Sequence, residues 1–138
     1  MDPVSVSASI LTIVSAGLVV ARGLDSLRTL VSDGKSQLKS LAVEIKDLSE
    51  LLGCSLSLIE ENRSLFKDQL THLLRDICWR FKIIQEDLGH YTRGSRRRQR
   101  FMALFRSRKL NVFKDKLDAL KSMLSLALQV AQLAGMNA

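Results

Sequence analysis

Leucine, isoleucine and phenylalanine recur at steps of three and four residues along most of this 138-residue chain. Such spacing places them on one face of an α-helix, and the alternating pattern of a half-buried strand does not occur. Three segments show it: 38–59, 66–91 and 110–131. Each has one apolar stripe that is stable only when buried against another helix. The pattern predicts an all-α fold, a four-helix-type bundle.

Residues that interrupt the pattern predict where the helices end. Turn residues at 32–34, 61–64 and 92–95 separate four long helices. Residues 97–106 predict an additional short basic helix before the last long one. Its apolar face holds Phe101, Leu104 and Phe105. The predicted core stripes are Leu38, Leu41, Ile45, Leu48, Leu52, Leu56 and Ile59; Phe66, Leu70, Leu73, Ile77, Phe81, Ile84, Leu88 and Tyr91; Leu110, Phe113, Leu117, Leu120, Leu124, Leu128 and Ala131.

The N-terminal segment differs from the other three because residues 3–21 contain no charged side chain. Its apolar residues continue at helical spacing to Leu30, which predicts a first helix ending at about residue 32. A helix without a polar face is usually a central core helix or a membrane segment. A secretory signal peptide is disfavoured because Asp2 stands where a basic residue is expected.

Two interpretations of this first helix stay open. It is just long enough to span a bilayer, which takes about 20 residues, although serine and threonine side chains lower its hydropathy. It is either buried permanently in the bundle, or stored there and released into a membrane, where small residues would let neighbouring copies pack closely. The residues expected to engage the membrane are Ile10, Leu11, Ile13, Val14, Gly17, Leu18, Val20 and Ala21.

The net charge of +7 is concentrated in one segment, residues 93–109. That segment contains no acidic residue, and the rest of the chain is nearly neutral. A basic segment with apolar neighbours suits anionic lipid, although a nucleic acid or plain solvent exposure would also accommodate it. Nucleic acid is disfavoured because no sequence-specific module is recognisable and aromatic residues are few. The residues expected to bind acidic lipid or a partner are Arg93, Arg96, Arg97, Arg98, Arg100, Arg106, Arg108 and Lys109.

Residues suited to catalysis or metal binding are few and poorly spaced. His72 and His90 have no Cys, Asp or Glu at a spacing typical of metal ligands. Residues 34–36 resemble the end of a phosphate-binding loop, but no strand precedes them. Cys54 and Cys78 are expected to be buried small apolar residues. We therefore expect no enzymatic activity, no metal, no cofactor and no small-molecule substrate.

Both ends of the chain resemble one protein family. The opening looks like the N-terminal domain of many fungal STAND or NOD-like receptor proteins, through Met1-Asp2-Pro3-Val4-Ser5-Val6-Ser7-Ala8-Ser9-Ile10 and Leu18-Val19-Val20-Ala21. The last helix of that domain is similar to Leu117-Asp118-Ala119-Leu120-Lys121-Ser122 and Leu126-Ala127-Leu128-Gln129. The resemblance implies a HeLo-like helical bundle, one of a group regarded as cell-death execution modules.

These observations and the resemblance together define the expectations. Residues 1–138 should form a single helical-bundle domain, the N-terminal module of a longer protein. The resemblance implies a non-enzymatic module of fungal immunity or programmed cell death that is cytoplasmic until activation recruits it to the plasma membrane. There it would form a homo-oligomer and bind anionic lipids. The alternative is a soluble regulatory or adaptor bundle that binds helical proteins and has no membrane activity.

Overall fold

The computed structural model describes residues 3–61 and 69–137, with side chains for 7–58 and 70–133. These residues form five α-helices and no strand. The all-α prediction is confirmed, and so is the additional short helix. The helices are α1 (Pro3–Arg28), α2 (Lys35–Glu61), α3 (Gln69–Thr92), α4 (Arg97–Arg106) and α5 (Leu110–Asn137).

The four long helices pack as a ring in the order α1, α2, α5, α3. The main packed pairs in the described residues are α1 with α2 and α3, and α5 with α2 and α3. Gln85 meets Ile13 and Thr92 lies against Gly23, so α1 and α3 run in the same direction. The turn after α1 reverses the chain, so α2 runs opposite to α1. Helices α1 and α5 therefore lie across a diagonal of the bundle.

The predicted stripes form the core. Residues Leu48, Phe81 and Leu124 are fully buried at its centre. Half-buried members of the stripes pack against it, and the side chains of Ile59 and Phe66 lie outside the described residues. The buried stripe members are Leu38, Leu41, Ile45, Leu48 and Leu52; Ile77, Phe81, Ile84 and Leu88; Leu110, Leu117, Leu120, Leu124 and Ala131.

The first turn differs in detail from its prediction. Helix α1 ends at Arg28, earlier than residue 32. Because residues 30 and 31 are no longer helical, the side chain of Leu30 is 42% exposed and Val31 is buried in its place. Gly34 has a φ of +83°, a conformation that favours glycine. A Cβ on it would lie 3.0 Å from the ring of Phe101. The turn thus provides the close approach at which α4 docks onto the bundle.

The second described turn region lies between α3 and α5. Helix α3 ends at Thr92, as predicted, and Gly94 follows with a φ of +88°. Phe101 and Leu104 are buried, which anchors α4 by its apolar face. The predicted turn at 61–64 lies almost entirely outside the described residues.

Candidate functional site

Helix α1 lies on the perimeter of the bundle, and its outer face carries exposed apolar side chains beside serine and threonine hydroxyls. The exposed fractions of Leu11 and Val19 are 58% and 63%. A helix that is apolar all round suggests a central position, but α1 contacts only two of the three other long helices closely. Part of its apolar surface, including Leu11 and Val19, is therefore left for solvent or for another partner.

The residues predicted to engage a membrane divide between the two faces of α1. Leu11 is exposed, and Val14 and Leu18 are half-buried. The other five face the bundle: Ile10, Ile13, Gly17, Val20 and Ala21. Engagement of a membrane by all eight would require α1 to leave its neighbours.

Among the helices in the described residues, α1 is the one long and apolar enough to cross a membrane. Its stretch from Ser7 to Arg28 has a mean hydropathy of 1.7, and 33% of it is buried. The core helix of a soluble protein can pass the same test. Length and composition are thus compatible with both interpretations drawn from the sequence.

Two glycines set how closely α1 approaches its neighbours. A Cβ on Gly17 would overlap Ser49 Oγ on α2 and lie 3.1 Å from Gln85 Nε2 on α3. A Cβ on Gly23 would lie 2.8 Å from Cβ of Thr92. Real side chains do not approach so closely, so both positions require the missing Cβ. In the folded bundle, Gly17 serves helix packing.

The basic residues of 93–109 gather at one end of the bundle, around the end of α3, along α4 and in the turn before α5. We call these eight residues the basic corner. Six of them are exposed, and Arg97 and Arg100 are half-buried. Within the described part of the chain, none of the eight forms an ion pair. The corner therefore has positive charge that is not neutralised by neighbouring acidic residues.

Two arginines of the basic corner also cap α3. Arg93 Nε donates to the carbonyl of Gly89 at 3.1 Å. Arg100 Nη1 donates to the carbonyls of His90 at 3.1 Å and of Arg93 at 3.3 Å. The last carbonyls of a helix lack intrahelical partners and carry partial negative charge, so guanidinium groups stabilise them. The sequence showed the charge but not this capping, which depends on how α4 folds back.

Arg108 has an unusual backbone. Its φ of 60° lies in the left-handed region, which disfavours residues with a Cβ by about 1 kcal/mol. It follows Ser107, whose N–H bonds to the Ala103 carbonyl at 3.1 Å and closes α4. The exposed Arg108 side chain is thus held at the turn into α5, beside Lys109.

A groove of about 730 Å³ runs between α1 and α3, and we call it the α1–α3 groove. Its α1 wall consists of small and apolar residues with the hydroxyls of Ser9 and Thr12 among them, and its α3 wall includes the exposed ring of Trp79. Buried Gln85 lines it too and donates from Nε2 to the Ile13 carbonyl at 3.0 Å. Sequence reasoning missed the groove, because parallel packing of α1 on α3 creates it.

A charged cluster joins α2 to α5 on the other side of the bundle. Lys121 Nζ lies 3.6 Å from Glu44 Oε2 and 3.6 Å from Asp47 Oδ2. Glu44 Oε2 is buried without a hydrogen-bond partner in the described structure. Burial raises the pKa of Glu44, Asp118 raises it further, and Lys121 opposes the rise. No sequence pattern predicted this cluster, because its members come from helices distant in the chain.

The residues considered for catalysis are dispersed. His72 and His90 are both exposed. Cys78 is buried, as predicted, and burial raises the pKa of its thiol to about 11, which keeps it protonated. The predicted burial of Cys54 is wrong, because it lies on the outer face of α2, two residues from buried Leu52. Among residues 3–61 and 69–137, no group of three His, Cys, Asp or Glu is placed to hold a metal ion.

Comparison with known proteins identifies a family. The model of the family described as pigment biosynthesis cluster protein PigL N-terminal matches residues 1–138. Searches of curated proteins and of solved structures found no match. The family match agrees with an N-terminal helical domain of fungal type, while the NOD-like receptor part of the resemblance has no counterpart in it. The chain thus belongs to the PigL N-terminal family, helical domains of a fungal pigment cluster protein family.

Proposed function

We propose that this domain is a non-enzymatic signalling module that self-associates and engages acidic membranes through α1. The observation that carries the proposal is the exposure of the apolar side chains Leu11 and Val19 on the uncharged N-terminal part of a helix at the perimeter of the bundle. The resemblance to NOD-like receptor proteins gives this activity a setting in fungal immunity or programmed cell death. The domain would be cytoplasmic at rest and recruited to the plasma membrane on activation.

Two surfaces would contribute to membrane binding. Moving an exposed side chain such as Leu11 from water into hydrocarbon is favourable by about 1.5–3 kcal/mol. Each basic residue of the basic corner near an anionic surface contributes about 1 kcal/mol. The first term is independent of lipid charge, whereas the second requires acidic lipid. Binding should therefore be strongest to anionic membranes and weaken as salt is added.

Deeper insertion requires α1 to leave the bundle. The five inward residues of α1 would lose their contacts with α2 and α3 and regain apolar surroundings in lipid. The free energy lost in the bundle and the free energy gained in lipid are nearly equal for apolar side chains. A trigger and the association of several copies can therefore shift the equilibrium toward insertion. Residues 4–21 would then lie in the bilayer, with Arg22 following them on α1.

The outer face of α1 can be tested without disturbing the core. Leu11→Glu combined with Ser15→Glu changes two exposed positions that do not line the α1–α3 groove. We expect leakage and co-sedimentation of anionic liposomes to fall by at least about tenfold, since the apolar contribution becomes a charge penalty. The matched control is Val43→Glu with Ser57→Glu on exposed α2 positions. The role of α1 would be contradicted if both pairs lost leakage and co-sedimentation equally, or if neither pair lost them.

The basic corner needs its own test. Arg98→Gln with Arg106→Gln removes two exposed charges, and Lys39→Gln with Lys46→Gln removes two exposed charges on α2. Only the first pair should weaken binding to anionic vesicles, with binding to neutral vesicles unchanged. Deletion of residues 1–21 should abolish leakage, and a folded deletion with full activity would refute the proposal.

The rival function is a soluble adaptor bundle. It is favoured by an apolar stripe that the bundle leaves exposed on α5: Leu126, Val130 and Leu133. These residues follow helical spacing, which suits an interface with another helix. Under this alternative the intact domain stays in the supernatant with anionic vesicles, although the basic corner is unchanged. Retardation of any DNA duplex with steep salt dependence would instead indicate nucleic-acid binding.

A further inference from the structure

We infer that the α1–α3 groove binds a single-chain amphiphile with an anionic head, whose apolar chain lies between α1 and α3 and whose head meets Arg93. The inference is independent of membrane engagement, since it concerns a monomeric ligand in a site formed by the closed bundle. The groove's volume of about 730 Å³ lies within the range of small-molecule sites, about 300–1,000 Å³.

The walls of the groove suit an unbranched chain. Val19 and Trp79 line it and are exposed by 63% and 60%, so apolar surface faces water there. The α1 wall from Ala8 to Val20 rises about 18 Å. An extended chain of about 14 carbons has that length. Small side chains on α1 keep this wall smooth enough for a chain to lie along it.

Arg93 is the best-placed group for the anionic head. Its Nε is held by the Gly89 carbonyl at 3.1 Å, which orients the guanidinium while its other N–H groups stay available. It has no ion-pair partner in the described residues. Arg100 binds the Arg93 carbonyl at 3.3 Å and adds a second positive charge at this end of the groove. A carboxylate there would gain a charge-assisted hydrogen bond.

The charges that line the groove favour an anion over a second copy of the chain. Arg75, Lys82 and Arg93 line it, against Glu86 alone among acidic residues. In a symmetric dimer the same surface meets itself, so these cations would face one another across the interface. A single negative head beside Arg93 offsets the charge at that end of the groove, while Arg75 and Lys82 stay exposed to water. Charge complementarity therefore selects the small anionic ligand.

Buried Gln85 provides a polar contact along the chain's path. It is 4% exposed and lines the groove, and its Nε2 donates to the Ile13 carbonyl. An amide has two N–H groups and an oxygen that accepts. The second N–H and the oxygen of the Gln85 amide suit a ligand that carries an oxygen substituent as well as an apolar chain.

Trp79 makes the inference directly measurable, since it is the only tryptophan in the chain. The probes are myristate, myristyl alcohol and tetradecyltrimethylammonium, each below its micelle concentration and without vesicles. We expect myristate to shift the Trp79 emission to shorter wavelength with saturation, the alcohol to bind more weakly, and the cation to give no saturable shift. Equal shifts with all three probes would overturn the inference.

Variants locate the head and the chain. Arg93→Gln should weaken myristate binding by about tenfold, the loss of one charge-assisted hydrogen bond, and leave binding of the alcohol unchanged. Arg22→Gln, an exposed arginine of α1 that neither lines the groove nor belongs to the basic corner, is the matched control and should bind like the wild type. Val19→Asp at an exposed position of the wall should abolish myristate binding. Circular dichroism confirms that each variant is folded.

Two further outcomes would overturn the inference. One is equal weakening by Arg93→Gln and Arg22→Gln, because it would show a diffuse charge effect. The other is a Trp79 emission that is short in wavelength without ligand and lengthens on dilution, because a second copy would then cover the groove. Failure of liposome binding leaves this inference standing, and failure of myristate binding leaves the membrane proposal standing.

Discussion

The α1–α3 interface and the α2–α5 interface hold the bundle together with opposite kinds of residues. Helix α1 meets α3 through Gly23 and through the bond of Gln85 to the Ile13 carbonyl, and no ion pair joins these helices in the described residues. Helix α2 meets α5 around Lys121, which lies 3.6 Å from both Glu44 and Asp47. One interface depends on close packing and the other includes partly buried charge.

This difference explains why the proposed membrane role falls to α1. Apolar residues that leave a protein core lose little when they enter hydrocarbon, whereas a charged side chain at the bilayer centre costs about 2.5 kcal/mol or more. Transfer of the α2–α5 pair into the bilayer would therefore be unfavourable, because its interface contains charged side chains. If this comparison is right, the two interfaces should respond to different perturbations, and the following variants test that from the largest expected effect to the smallest.

The largest effect is expected at the close contact of α1. Gly17→Ala places a Cβ against Ser49 Oγ and near Gln85, so the helices must separate or shift. We expect a loss of about 2 kcal/mol in the free energy of unfolding, as overpacking of a core costs about 1–3 kcal/mol. Urea unfolding measures it. An unchanged or raised stability would show that the close packing of α1 is not needed.

A smaller loss is expected at the charged interface. Lys121→Ala leaves Glu44 and Asp47 without their common cation, and we expect a loss of about 1–2 kcal/mol, reduced by partial solvent exposure. Lys116→Ala removes an exposed lysine from the same helix and is the control. Equal stabilities for the two variants in urea would mean that the cluster contributes nothing specific.

A gain is expected where a glycine has room. Gly53 lies inside α2, and a Cβ there would meet nothing within 4 Å. Gly53→Ala should raise the free energy of unfolding by about 1 kcal/mol through helix propensity alone. Paired with Gly17→Ala, it separates the effect of close packing from that of glycine in a helix. A loss of stability in urea unfolding would contradict the open surroundings of this position.

The subtlest effect is a dependence on pH. Because burial and Asp118 raise the pKa of Glu44, the folded state binds more protons than the unfolded state between the ordinary and the raised value. Stability should therefore fall as pH rises through that window. Glu44→Gln should remove this slope, and stability at neutral pH should rise. Unfolding followed across pH measures it, and Glu50→Gln, at an exposed position of α2, should keep the slope.

The sequence predicted the fold in some regions and not in others. The burial of Leu48, Ile77 and Leu124 followed from helical spacing, because a stripe with a polar opposite face has one possible inward side. The exposure of Leu11 could not be predicted, since residues 3–21 contain no charged side chain that would mark the outer face of α1. The exposure of Cys54 could have been predicted, because a step of two residues from Leu52 turns about 200°, to the opposite face of the helix.

The candidate sites divide in the same way. The eight residues of the basic corner were evident as a charge run, but the capping role of Arg100 was not. Its partners are backbone carbonyls at the end of α3, which carry no sequence signal of their own. The α1–α3 groove had no signal at all. Trp79 was visible in the sequence, yet nothing there indicated that it faced a groove.

The sequence by itself determined the number and type of the described helices, the lack of charge in residues 3–21, and the confinement of excess charge to residues 93–109. Helical periodicity and charge are local properties, so they can be read from neighbouring residues. The tertiary structure decided that α1 lies beside α3, which face of α1 stays exposed, and that Glu44 meets Lys121. Those features depend on how the apolar faces of four helices fit into one core. That fit is determined only when all four helices pack together.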